Sequence, residues 1–227
     1  MILLQMFLEL LFTLFIIIDP IGYSLIFYVI TKDYKKKDCI IISCHAIMYA
    51  SIIILFYVFI GKYLLRLIHV EMSAMKITGG FALLHAARMI IMNDKASHDI
   101  VKTINDDYHL IEEDNEVEED NNEVEEDNNK DTNYNLAIYP LATGILAGPG
   151  TLTTIIILSD DLNDIYSYLL MILSIGIIYG LCFLGTLGSQ YIKKINSDII
   201  YVINITIGIL LCSLSITFIT TGLKEIF

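Results

Sequence analysis

Six long apolar runs constrain this chain more than any other feature: residues 2–30, 39–61, 72–92, 136–159, 165–190 and 199–222. A hydrocarbon core about 30 Å thick is crossed by about 20 helical residues. Within it each backbone polar group must be satisfied locally, which makes the helix the natural form for single runs of this length. The reading is an all-α membrane protein with six transmembrane helices, in contact with the lipid bilayer. Composition agrees, since 56% hydrophobic and 18% charged residues are too apolar for a soluble domain of 227 residues. The first run has no Lys or Arg before its apolar part, holds Glu9 and offers no small-x-small cleavage site, so it is expected to remain as helix 1.

The net charge of −12 belongs to one segment, because residues 112–127 hold eleven of the 26 acids and no Lys or Arg. Without them, 14 basic against 15 acidic residues leave −1. The segment repeats itself as EEDNEV, EEDNNEV and EEDNN, which marks a low-complexity tether unable to bury a core. Read as a cation or basic-partner contact, it lacks the residue order of an EF-hand loop. No nucleic-acid partner is expected. Cys39, Cys44, Cys182 and Cys212 sit in or beside apolar runs without a C-x-x-C, so they read as small packing residues, with no metal site and no cofactor.

Basic residues near helix ends stay on the cytoplasmic side. With the N terminus outside, the inner face holds Lys32, Lys35, Lys36, Lys37, Arg88, Lys95, Lys102, Lys130, Lys193 and Lys194. The outer face holds Lys62, Arg66, Lys76 and Lys224. Both termini are therefore expected outside, with the acidic loop cytoplasmic.

Two pairs of short motifs recur at nearly one offset. Asp19-Pro20-Ile21-Gly22 in the first run is echoed by Gly148-Pro149-Gly150-Thr151 in the fourth, with the prolines 129 residues apart; Ile77-Thr78-Gly79-Gly80 is echoed by Ile205-Thr206-Ile207-Gly208, 128 apart. Three helices per half is an odd number, so the second half enters from the opposite side. The expected architecture is a 3+3 inverted repeat: 1–92 and 136–227 as the repeats, and 93–135 as the acidic loop between them.

Proline removes a backbone donor and clashes one turn back, so Pro20 with Gly22, and Gly148, Pro149 and Gly150, should break helices 1 and 4. Unwound backbone at membrane depth persists only where it is buried in protein or lines a watered cavity. Asp19 carries two readings: an N-cap for a helix restarting at Pro20, or that cap together with an ion, proton or substrate site. Ser24 lies one turn beyond the first break. Thr151, Thr153 and Thr154 lie just beyond the second, where a helix N-terminus suits an anion or carbonyl, although threonines also bond back to carbonyls one turn earlier. Gly79, Gly80 and Gly208 read as close-packing positions, or as the surface on which one half rocks against the other. His85 and Arg88 are three apart on one helix face, as an ion pair or proton relay, or as a hydrogen-bonded His beside a snorkelling Arg.

The stretches IIIDPIG, MKITGGFALLHAARMI, LAIYPLATGILAGPGTLTTIIIL and SDIIYVINITIGILLCSLSITFITTGLKEIF resemble the MarC family of integral membrane proteins. The resemblance spans nearly the whole chain outside residues 93–133. It implies a six-helix, multi-pass protein of the bacterial inner membrane, similar in repeat logic to amino-acid exporters of the lysine-exporter type. It names no substrate. Where the family commonly reads D-P-x-G-N-x-P, Tyr23 and Leu25 stand in place of Asn and Pro; where it reads P-L-A-x-P, Thr143-Gly144 replaces the apolar-Pro pair.

The leading expectation is a secondary transporter or exporter of a small polar solute, with a proton or cation as candidate coupling ion, since no Walker pattern occurs. An enzyme is not expected, because neither break carries a nucleophile-base pair or metal cluster. The alternative is a non-transporting scaffold or regulator acting through the acidic loop. Substrate, direction and oligomeric state are not encoded legibly.

Overall fold

In the computed structural model the described residues are 2–31, 34–92, 137–160, 162, 164–188 and 197–227, so the acidic loop expected at 93–135 lies outside them. Among the described residues every regular element is helical: α1 (Ile2–Ile18), α2 (Pro20–Ile30), α3 (Lys36–Leu67), α4 (Met72–Met92), a π-helical segment (Ala137–Leu146), α5 (Pro149–Asp160), α6 (Ile165–Gly188) and α7 (Ser197–Ile226). Five stretches are long and apolar enough to cross a membrane: Leu3–Ile30, which joins α1 to α2, Lys36–Leu67, Met72–Met92, Ile165–Gly188 and Val202–Ile226.

The fourth expected run differs. It is divided into a π-helical segment of 10 residues and a helix of 12, and at 1.5 Å per residue α5 is only about 18 Å long. Neither piece alone matches the bilayer. α3 also outruns its expected bounds of 39–61, because Lys36, Lys37, Lys62 and Arg66 remain helical at its two ends. Its 32 residues reach about 48 Å, enough to carry those charges into the headgroup layers.

α6 packs on α1, α2 and α3; α3 packs on the π-helical segment and on α5; α4 lies along α7 and touches α5. The main buried cluster joins α1, α3, the π-helical segment, α5 and α6 through Leu14, Ile42, Ile54, Leu141, Ile155 and Ile178. A smaller one, Leu83, Ala87 and Leu211, seals α4 against α7. The outer faces stay apolar, with Phe12, Ile52, Phe56, Leu169, Leu173 and Ile209 exposed. In water such faces would be an aggregation hazard, and against lipid tails they carry no penalty.

At the ends of α3 and α5, Lys62 Nζ lies 2.8 Å from Asp160 Oδ1 and donates to the Asp160 carbonyl at 3.1 Å. Both side chains are partly exposed, so the pair is screened. Lys62→Met is expected to lower the unfolding free energy by about 1 kcal/mol or less, read as a small drop in thermal midpoint in detergent; a large drop would mean that the pair is buried by lipid or protein. Lys76 pairs with Glu225, linking α4 to the end of α7.

Candidate functional site

The first break is one residue wide. α1 ends at Ile18, Asp19 takes left-handed backbone angles (φ 44°, ψ 75°), and α2 restarts at Pro20. The Asp19 N–H still donates to the Phe15 carbonyl at 3.1 Å, so the chain bends without leaving that donor open. Its Oδ1 accepts from the Gly22 N–H at 3.0 Å, the geometry of an N-cap. Gly22 is needed there because a β-carbon would collide with Asp19 Oδ2. One turn on, the Ser24 hydroxyl donates to the Pro20 carbonyl at 2.6 Å, and Gly185 of α6 leaves room for that hydroxyl.

The second break is built differently. The π-helical segment closes with the Ala147 N–H donating to the Ala142 carbonyl at 2.8 Å, Gly148 is non-helical, and α5 begins at Pro149. Gly148 approaches the Gly144 carbonyl so closely that a β-carbon would sit 2.8 Å from it. The Thr153 hydroxyl donates to the Pro149 carbonyl at 2.7 Å and that of Thr154 to the Gly150 carbonyl at 2.9 Å. Both hydroxyls thus make the back-bond of membrane helices. Thr151 is buried and, among the described residues, makes no such bond.

The glycines bring the two halves of the chain together. Gly79 packs on the Thr153 methyl, so α4 reaches the second break. Gly80 leaves room for Ile219 of α7 and accepts a 2.6 Å hydrogen bond at its carbonyl from Ser215. Gly208 does the reciprocal on α7, where a β-carbon would lie 2.8 Å from Ile91. His85 and Arg88 are both exposed, on a face of α4 turned away from the breaks, and no carboxylate pairs with Arg88 among the described residues. No group of three or more metal-ligating side chains occurs among the described residues.

The sequence profile described as MarC family integral membrane protein matches residues 4–227. The chain belongs to the MarC family. Its relatives include a UPF0056 membrane protein of Methanocaldococcus jannaschii, 26% identical over 222 residues covering 97% of each chain. Another, from Aquifex aeolicus, is 24% identical over 97% of this chain and 94% of its own. A third, from Bacillus subtilis, is 25% identical over 95% of this chain and 92% of its own. No solved structure matches the chain.

Sequence reasoning did not bring together three polar groups beside the first break of this MarC-family chain. Tyr23 of α2 and Tyr179 and Cys182 of α6 are buried, and the two helices pack on each other, with Gly185 of α6 against Ser24 and the Pro20 carbonyl. The available signal was that Tyr23 departs from the family's Asn. Ser43 of α3 and Thr186 of α6, also missed, share a 2.7 Å hydroxyl contact.

Proposed function

We propose that this chain is a secondary transporter or exporter of a small polar solute, built as a six-span 3+3 inverted repeat and working by alternating access around its two breaks. The observation that carries the reading is the matched construction of those breaks. Four residues past each proline a hydroxyl bonds back to the proline carbonyl, Ser24 to Pro20 and Thr153 to Pro149, a spacing of 129 residues both times (20 to 149, 24 to 153). The glycine contacts repeat in the same way: Gly80 meets Ile219 and Gly208 meets Ile91, each member displaced by 128 (80 to 208, 91 to 219). An exchange of the two halves maps that pair of contacts onto itself, as a two-fold axis lying in the membrane plane requires.

On this reading α5 and the π-helical segment together make the fourth span, as α1 and α2 make the first. Asp19, Ser24, Thr151, Thr153 and Thr154 line the path between the halves. Gly79, Gly80 and Gly208 let α4 slide on α7 and on α5. The solute leaves chemically unchanged, so no catalytic step is assigned, and a proton or cation gradient supplies the driving force. The protein sits in the plasma membrane with both termini outside and the acidic loop in the cytoplasm, the orientation that keeps ten of 14 basic residues inside.

The test is uptake or counterflow of a panel of labelled polar solutes in proteoliposomes under an imposed proton or sodium gradient. Accumulation of at least one solute, reduced at least tenfold by Asp19→Asn, is the expected result. Absence of flux for every solute, in protein that remains folded, would sink the transport reading.

A further inference from the structure

Tyr23 and Tyr179 are 1% and 3% exposed, and neither phenol oxygen has a hydrogen-bond partner among the described residues. In hydrocarbon no bulk water relieves such a group, so an unpaired hydroxyl there costs the free energy of a missing hydrogen bond. Two of them on α2 and α6, helices that pack on each other, concentrate that cost at one contact. Cys182, one turn from Tyr179, is fully buried, and Tyr23 follows Asp19 by one turn, its N–H donating to the Asp19 carbonyl at 2.9 Å. The Asp19 carboxylate gives one oxygen to the Gly22 N–H and keeps further lone pairs. α1, α2 and α6 carry no Lys, Arg or His, so the carboxylate has no positive partner on the elements that build the cluster.

We propose that Asp19, Tyr23 and Tyr179 form an occluded site, beside the first break, for a small monovalent cationic group: an alkali cation or the ammonium head of a solute. The donor set fits that chemistry. A carboxylate supplies the charge, two phenol oxygens supply lone pairs, and the surrounding wall is apolar, which strengthens each contact. An anion would meet the carboxylate with no compensating donor charge. Tyr179 also lines a groove of about 320 Å³ between α3 and α6, together with Ile47, Ser51, Leu55 and Gly176. The site deepens the transport reading by giving it a coupling ion or a substrate head group, and it rests on that reading only for its purpose.

The experiment uses the purified full chain in detergent at constant ionic strength, with sodium, potassium or methylammonium chloride replacing N-methylglucamine chloride, whose cation is too bulky to enter. At least one small cation is expected to raise the thermal midpoint saturably. Asp19→Asn, which keeps the cap, should abolish that response. Tyr23→Phe and Tyr179→Phe, each of which deletes one oxygen, should weaken apparent binding about tenfold or more. A response to sodium or potassium alone identifies an inorganic ion, and one to methylammonium alone identifies a solute head group. If all four cations act alike, if the midpoint follows pH and not cation identity, or if the Phe variants keep the full response, the proposal is overturned. Cation response without flux in proteoliposomes removes transport and keeps this site; flux without cation response does the reverse.

Discussion

Replacing Gly80 by leucine should collapse the contact between α4 and α7, with a loss of about 3 kcal/mol or more in unfolding free energy. A β-carbon at Gly80 would stand 2.9 Å from the Ser215 carbonyl, which is backbone and cannot swing aside. The larger side chain forces the helices apart and takes with it the 2.6 Å bond from Ser215 to the Gly80 carbonyl. Overpacking of this kind costs about 1–3 kcal/mol, and the lost hydrogen bond about 1 more. Lipid does not push the helices back together, because tails are as apolar as the side chains, so close packing is what holds such a pair. Gly80→Ala should follow the same direction with a smaller loss. Gly176→Leu is the control: nothing lies within 4 Å of a β-carbon there, and that change should not lower the midpoint, since leucine is the better helix former. Thermal unfolding followed by circular dichroism in detergent reads all three, and equal midpoints for Gly80→Leu and Gly176→Leu would disprove the close approach.

The spans were legible because a bilayer demands long apolar runs, and a residue count finds them; α4 keeps the bounds 72–92 that the sequence suggests. The fourth run was harder. Pro149 marks where it breaks, yet nothing in the apolar pattern tells that Ala137–Leu146 winds as a π-helix, since a shift of one residue in hydrogen bonding leaves composition unchanged. The breaks themselves stood out because Asp and Pro are costly in hydrocarbon. Tyr23 and Tyr179 were not legible for the opposite reason. Tyrosine is an ordinary membrane residue, apolar in its ring and polar at its tip. What sets these two apart is that their hydroxyls end buried and unpartnered, which depends on how α2 meets α6. Spacing put His85 and Arg88 on one face of α4, as a pair or as a hydrogen-bonded His beside a snorkelling Arg, and spacing does not say which face turns inward.

A substitution series at Asp19 separates what that residue does for the fold from what it does for function. The position asks for two structural properties, a side-chain oxygen for the Gly22 N–H and tolerance of φ 44°. Asparagine supplies both, and it removes a carboxylate whose place inside a span costs on the order of 3 kcal/mol. Asp19→Asn should therefore be as stable as the parent or more so. Glycine accepts the left-handed angle and loses the cap, for a loss of a few tenths of a kcal/mol. Alanine fails on both counts, with about 1 kcal/mol for the cap and about 1–2 for the backbone, so Asp19→Ala should show the largest drop in thermal midpoint. The stability order is then Asn, parent, Gly, Ala. If Asp19 only capped α2, proteoliposome flux would follow the same order and Asn would transport at the parental rate. If the carboxylate also holds a cationic group, the two orders part at asparagine, the variant that folds best and moves least.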